Sequence, residues 1–180
     1  MPPTPQPRWP LLDARSGAQV WVKHENHTPV GAFKVRGGLV YMDALRRREP
    51  AVRSVMSATR GNHGQSIAFA AARHGLAATI VVPRGNSVEK NAAMRALGAE
   101  LIEQGEDFQA AREHAVRLAG ERGAHMVPSF HADLVRGVAS YWVEFFASFA
   151  ASEAPEVVFV PIGLGSGICA CAAARAHAGV

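Results

Sequence analysis

A chain of 180 residues that is 48% hydrophobic holds enough apolar material for one good core, or one domain plus part of another, which excludes bulk disorder. The formal charge of +4 comes from sixteen scattered arginines and three lysines, with one short basic run at residues 46–48 and no interleaved aromatics, so a nucleic-acid face is not expected. Cys169 and Cys171 stand two apart in an alanine-rich stretch, which is neither metal spacing nor a disulfide framework. No run is long and apolar enough for a membrane span or a signal core, and the expected setting is the reducing cytoplasm.

In chain order, residues 1–10 carry five prolines and predict an extended arm. Residues 20–23 alternate and read as a short strand. The triplet Pro29-Val30-Gly31 is a turn, and a helical pattern runs from Lys34 to Arg48 before Pro50 ends it. Residues 52–57 read as a strand, followed by a glycine turn at Gly61 and a helix over 63–74 with Gly75 beyond its end. A strand over 77–82 precedes a turn at 83–86. Ser87 caps a helix that closes before Gly98. A strand over 99–103, a helix over 107–122, a short strand at 125–127 and a long amphipathic helix over 134–149 follow. Residues 156–161 are almost unbroken apolar and predict a strand buried on both faces. A closing helix covers 166–178. Strands alternating with helices at this spacing mean an α/β fold with parallel strands and right-handed crossovers.

Three segments carry the chemistry. Lys34 lies in Gly31-Ala32-Phe33-Lys34-Val35-Arg36-Gly37-Gly38, where apolar neighbours and a helix start favour the neutral, nucleophilic amine. Lys23 and Lys90 have no glycine motif beside them and are poor candidates. The second segment, Thr59-Arg60-Gly61-Asn62-His63-Gly64-Gln65, follows a strand and precedes a helix, where open α/β sheets bind ligands and first-turn amides cradle anions. The third, Gly163-Leu164-Gly165-Ser166-Gly167, repeats that geometry and suits a phosphate. A dinucleotide reading needs a glycine where Ile168 stands. Among eight histidines none forms the i, i+4 helical pair of a zinc site, so no metal is expected.

Together these segments resemble the fold-type II pyridoxal phosphate (PLP) enzymes, in the threonine/serine dehydratase branch, over nearly the whole chain. F-K-V-R-G-G and G-N-H-G-Q are more similar to that branch than to the O-acetylserine sulfhydrylases. The resemblance implies open parallel sheets with helices on both faces. It divides the chain into the start of a large PLP-binding domain (1–45), a complete small domain (46–149) and a resumed, incomplete large domain (150–180), with the full-length form running on as a homo-oligomer. It implies that Lys34 binds PLP covalently and later takes the substrate α-proton, that Phe33 lies against the cofactor and that Asn62 bonds its 3′-oxygen. Gly163, Leu164, Gly165, Ser166 and Gly167 would wrap the phosphate. Thr59, Arg60, Gly61, Asn62 and His63 would hold the substrate carboxylate. The implied activity converts a hydroxyamino acid such as L-threonine or L-serine into a 2-oxo acid and ammonia. Alternatives are a 3-hydroxyaspartate ammonia-lyase, a serine racemase, an O-acetylserine sulfhydrylase, or a truncated inactive homologue with a binding or interaction role. Arg60 departs from the pattern: racemases of this kind place a serine there, and arginine is a permanent cation.

Overall fold

Four strands, β1 (Ser54–Ala58), β2 (Ala77–Val82), β3 (Glu100–Glu103) and β4 (His125–Met126), form one parallel sheet in the order β3-β2-β1-β4. The computed structural model describes residues 1–179. Seven α-helices accompany the sheet: α1 (Pro10–Ser16), α2 (Lys34–Arg48), α3 (Asn62–Arg73), α4 (Val88–Ala96), α5 (Phe108–Arg122), α6 (Ala132–Phe146) and α7 (Ser166–Ala178). Alternation along the strands divides the core. Val55, Ala78, Ile80 and Val82 face Tyr41, Met42 and Leu45 of α2, Ile67 and Ala71 of α3, and Met94 of α4. Met56, Ala58 and Val81 face the opposite way, onto Ala111, Ala115 and Ala119 of α5. One alanine per turn lets α5 lie close to the sheet. The helix caps are local: Ser87 accepts from the Lys90 amide and Asp107 from the Ala110 amide, and Gly123, at φ 62°, ends α5.

Several expected elements differ. Residues 20–23 form no strand but a single antiparallel bridge, Arg8 with Trp21. Prolines at 5, 7 and 10 lack the N–H groups a two-sided ladder needs, so the arm only accepts, from Val22 and His24, until Trp9 donates to the Val20 carbonyl at 3.0 Å. Pro10 then opens α1, and Gly17, at φ 71°, closes it. That short helix was not expected, although proline at its start and glycine past its end are its signature. Residues 156–161 form no strand and have no strand partner among the described residues, and only one side is covered. Val158 and Val160 pack towards α6 and α7, while Val157 and Phe159 are 69% and 92% exposed. The predicted double burial is therefore corrected to burial on one face. β1 lies two residues later at its start than the apolar run suggests, and α6 begins earlier, capped by His131, and ends at Phe146. No helix among the described residues is long and apolar enough to cross a membrane.

Glycines set the closest helix crossing. A β-carbon on Gly137 of α6 would fall on the Arg36 carbonyl of α2 and 2.7 Å from Gly37 Cα, and one on Gly37 would meet the Leu134 carbonyl at 2.8 Å. Backbone faces backbone here, and neither side has a flexible end that can give way. Beyond this contact, α6 buries Trp142, Phe145 and Phe146 against Ala170, Cys171 and Ala174 of α7.

Gly137→Ala is expected to cost about 1–3 kcal/mol through overpacking, read as a lower Tm in a thermal melt. Gly120→Ala serves as its control. It lies in α5 with nothing within 4 Å of an added β-carbon, and the same melt should show unchanged or higher stability.

Candidate active site

The turn before α2 is closed by Thr28, whose Oγ1 accepts from the Ala32 amide and donates to the Ala32 carbonyl, both at 2.9 Å. Gly31, at φ 66°, takes the left-handed position that this turn requires. Phe33 caps the helix and Lys34 is its first residue. The Lys34 amine is half-buried and donates to Ser166 Oγ at 2.6 Å, with the Phe33 ring 5.3 Å away. Loss of water holds its pKa below the ordinary lysine value, because burial penalises the charged form. The Lys34 carbonyl is tied as well, accepting from Ser66 Oγ of α3 at 2.6 Å. The Lys34 side chain thus stands on a backbone held from two directions.

Across from it, Gly165 caps α7 at φ 98°, a conformation other residues adopt only with strain, and Ser166 follows, buried. Trp142 Nε1 donates to the Gly167 carbonyl at 3.1 Å and fastens the start of α7 to α6. A cavity of about 210 Å³ opens here, lined by Phe33, Lys34, Pro161, Ile162, Gly163, Gly165, Ser166 and Gly167. The structure therefore brings together Lys34, Phe33 and every expected loop residue except Leu164, whose side chain is 60% exposed. A larger cavity of about 300 Å³ between α6 and α7 has Val143, Phe146, Phe149 and Ala174 in its walls. It contains no amine and no glycine cradle, so size alone does not locate the chemistry.

The segment after β1 does not line the cavity, but it is linked to Lys34 through Ser66 and through charge. Thr59 is buried, and its Oγ1 accepts from the amides of Gly61 and Gly64 at 2.9 and 3.3 Å, so these two donors are spent inside the turn. The amides of Asn62 and His63, at the start of α3, have no partner among the described residues. The side chains of Arg60 and Asn62 are exposed. His63 is half-buried with Nε2 3.1 Å from Ser57 Oγ, and burial together with the Lys34 charge pushes its pKa down to about 4. A β-carbon at Gly61 would lie 2.6 Å from Lys90 Cδ, so the Lys90 chain crosses this turn. Sequence reasoning had set Lys90 aside.

Sequence reasoning also missed what holds α2 in place. Arg36 is 4% exposed and donates to both oxygens of Glu25, at 2.8 and 2.9 Å, and to both oxygens of Glu144 on α6, at 2.6 and 3.1 Å. Lys23 reaches Glu144 at 2.9 Å and the Thr4 carbonyl at 3.0 Å, and the Thr4 hydroxyl donates to Glu25 at 2.7 Å. A charge set among Val35, Gly37 and Gly38 on a helix face that is otherwise small or apolar was the available signal.

These residues fit pyridoxal phosphate. The amine is partly desolvated, and the glycine cradle ends in a helix N-terminus suited to phosphate. Serine and a left-handed glycine stand at the mouth, and an aromatic ring flanks the cavity. Among the described residues no group of three or more His, Cys, Asp or Glu could hold a metal ion.

A family model described as pyridoxal-phosphate dependent enzyme matches residues 1–179. The chain is 33% identical over 168 residues to the biosynthetic L-threonine dehydratase of Salmonella typhimurium, covering 93% of this chain and 32% of that protein. It is 35% identical over 156 residues to the L-threonine ammonia-lyase of Thermotoga maritima, covering 86% of this chain and 38% of that one. Among solved structures, the processed form of threonine deaminase isoform 2 from Solanum lycopersicum superposes with a TM-score of 0.87 at 29% identity, over 98% of this chain and 50% of that one. Maize serine racemase gives 0.87 at 27%, over 98% and 53%. The chain thus spans about a third of the length of the curated relatives it matches and about half of the solved ones.

His63 predicts an acid-side loss of stability. Its folded pKa of about 4 lies below the ordinary 6.5, so the unfolded chain binds a proton that the folded one refuses. The corresponding stability is complete above pH 6.5 and is lost as pH falls towards 4. His63→Gln should therefore give a shallower fall of Tm across that window than the wild type, measured by melts at half-unit intervals.

Proposed function

The chain belongs to the pyridoxal-phosphate dependent enzyme family, and on that premise we propose that it supplies the lysine, the phosphate cradle and the carboxylate turn of an ammonia-lyase acting on a hydroxyamino acid such as L-threonine or L-serine. The observation that carries this reading is the half-buried Lys34 amine, 2.6 Å from Ser166 at the start of α7. The relatives named as threonine dehydratases and ammonia-lyases support the substrate class.

In this reading Lys34 holds the cofactor through Nζ, Phe33 lies against it, and Asn62 bonds its 3′-oxygen. Gly163, Leu164, Gly165, Ser166 and Gly167 receive the phosphate with backbone amides and the Ser166 hydroxyl. When bound, the cofactor supplies an electron sink for the charge left as the α-proton departs. Lys34 Nζ, once displaced by the substrate's own amine, would take that proton. Its lowered pKa leaves more of the amine neutral and able to accept it. The free amides of Asn62 and His63 take the substrate carboxylate, since those of Gly61 and Gly64 already serve Thr59. Phe33, with its ring 5.3 Å from Nζ, keeps water from one side of the amine. Arg60, a permanent cation on an exposed turn, offers no second base, which favours elimination over racemisation.

The proposed division places the small domain at 46–149, which contains all four strands, with the large domain at 1–45 and 150–180. Cys169 and Cys171 are free thiols, in keeping with a reducing cytoplasm. Homo-oligomeric assembly is part of the same reading.

Borohydride reduction in the presence of the cofactor should fix a pyridoxyl group on Lys34, read by peptide mass, and Lys34→Ala should abolish the label. A label on Lys23 or Lys90 would overturn the assignment. With L-serine, pyruvate should form at least about a hundredfold faster than D-serine, the lower end of what one positioned proton-transfer group contributes. Equal rates would favour the racemase reading, and Arg60→Ser should then raise D-serine further.

A further inference from the structure

Ser57 and His63 form a hydrogen-bonded relay to which the proposed chemistry gives no role. Ser57 is fully buried at the end of β1, with its hydroxyl 3.0 Å from the Val127 carbonyl and 3.1 Å from His63 Nε2. A carbonyl oxygen only accepts, so the single hydroxyl proton goes to Val127. The remaining lone pair of Ser57 must then face an N–H, which places the proton of His63 on Nε2. In a neutral imidazole the other nitrogen is then a bare acceptor. Among the described residues Nδ1 has no hydrogen-bond partner, and no buried side-chain nitrogen or oxygen lacks one, so Nδ1 opens to the outside of the fold. His63 stands on the first turn of α3 beside the free amides and close enough to Lys34 to feel its charge, which also keeps the ring neutral.

We propose that His63 determines substrate specificity, its Nδ1 accepting a hydrogen bond from the hydroxyl of the bound amino acid, with Ser57 and Val127 as the positioning residues that set its tautomer. The inference rests on the ammonia-lyase reading. A bare ring nitrogen repels a carboxylate oxygen and attracts an O–H. The His63 side chain therefore does not bind the substrate carboxylate, and only its backbone amide is available for that. A hydroxyamino acid is favoured over one of the same shape without the hydroxyl, because the latter leaves Nδ1 unpaired when the site closes.

Two measurements test this. Histidine-selective nitrogen-15 NMR of the protein should show His63 with the proton on Nε2 and none on Nδ1 at neutral pH, and Ser57→Ala should convert it to a mixture of tautomers. A proton on Nδ1, or a tautomer indifferent to Ser57→Ala, overturns the relay. The second measurement compares equilibrium binding of L-threonine and L-2-aminobutyrate, which lacks only the hydroxyl, to cofactor-loaded protein carrying Lys34→Ala to prevent turnover. L-threonine should bind about tenfold more tightly, the worth of one neutral hydrogen bond. His63→Leu should bring the two within about twofold of each other, because it removes both the bond to the L-threonine hydroxyl and the unpaired nitrogen that 2-aminobutyrate faces, and His63→Asn, whose Oδ1 stands near the place of Nδ1, should restore part of the preference. A preference that survives His63→Leu, or an equal loss for both ligands, overturns the specificity role. If neither amino acid binds while His63 is intact, the ammonia-lyase reading fails and the specificity role with it, while the tautomer measurement still decides the relay.

Discussion

The buried guanidinium of Arg36 is the contact on which the site depends. It lies two residues beyond Lys34 on α2 and is gripped by Glu25 before the helix and by Glu144 from α6. Removing one partner of such a group leaves an uncompensated buried charge, at a cost of about 3–5 kcal/mol. The fold offsets the desolvation with further bonds: Ser140 accepts from the guanidinium, Lys23 pairs with Glu144 Oε2, and the Thr4 hydroxyl donates to Glu25 Oε1 beside the Arg36 bond. The same few residues of α2 make the glycine contact with α6. Polar and steric constraints therefore converge on one turn of helix, and that turn carries the Lys34 amine.

From that turn the geometry spreads outward. α6 is set by Arg36 and Gly37 on one side and orients α7 on the other, through Trp142 and its bond to the Gly167 carbonyl. The glycine loop before α7 is thus referred back to the helix that carries Lys34, across a chain separation of 132 residues. α3 is referred to it by Ser66, and Gly38 of α2 lies against that serine because a β-carbon there would not fit. The three segments sit on three helix starts, of which those of α2 and α7 line one cavity and that of α3 is joined to Lys34 through Ser66. Loss of water drives Lys34 towards its neutral form, and loss of water together with the Lys34 charge does the same to His63.

The legible parts were local. The helix over 34–48, the cap at Ser87 and the strand over 77–82 were read from neighbours within a turn or two, and the structure has them where the local pattern put them. The strand expected at 20–23 failed because alternation says nothing about a partner made of prolines. The strand expected at 156–161 failed because an apolar run records only that something covers it, and here α6 and α7 cover one side alone. Lys34 and the glycine loop were found because their chemistry is written in adjacent residues. Glu144 as the partner of Arg36 lies 108 residues away, beyond any local pattern.

What the sequence by itself determined is the alternation of strands and helices, the helix starts that carry Lys34, His63 and Ser166, and the turns that only glycine can make. Each follows from backbone sterics and short-range hydrogen bonding. What only the tertiary structure decided is which groups confront one another: Ser166 before the Lys34 amine, Thr59 consuming two amides of its own turn, Ser57 setting the proton of His63, Lys90 across Gly61, and Arg36 between two carboxylates. The physical reason is that the strength of an ion pair or hydrogen bond depends on distance and on the exclusion of water. Both are set by the packing of elements far apart in the chain.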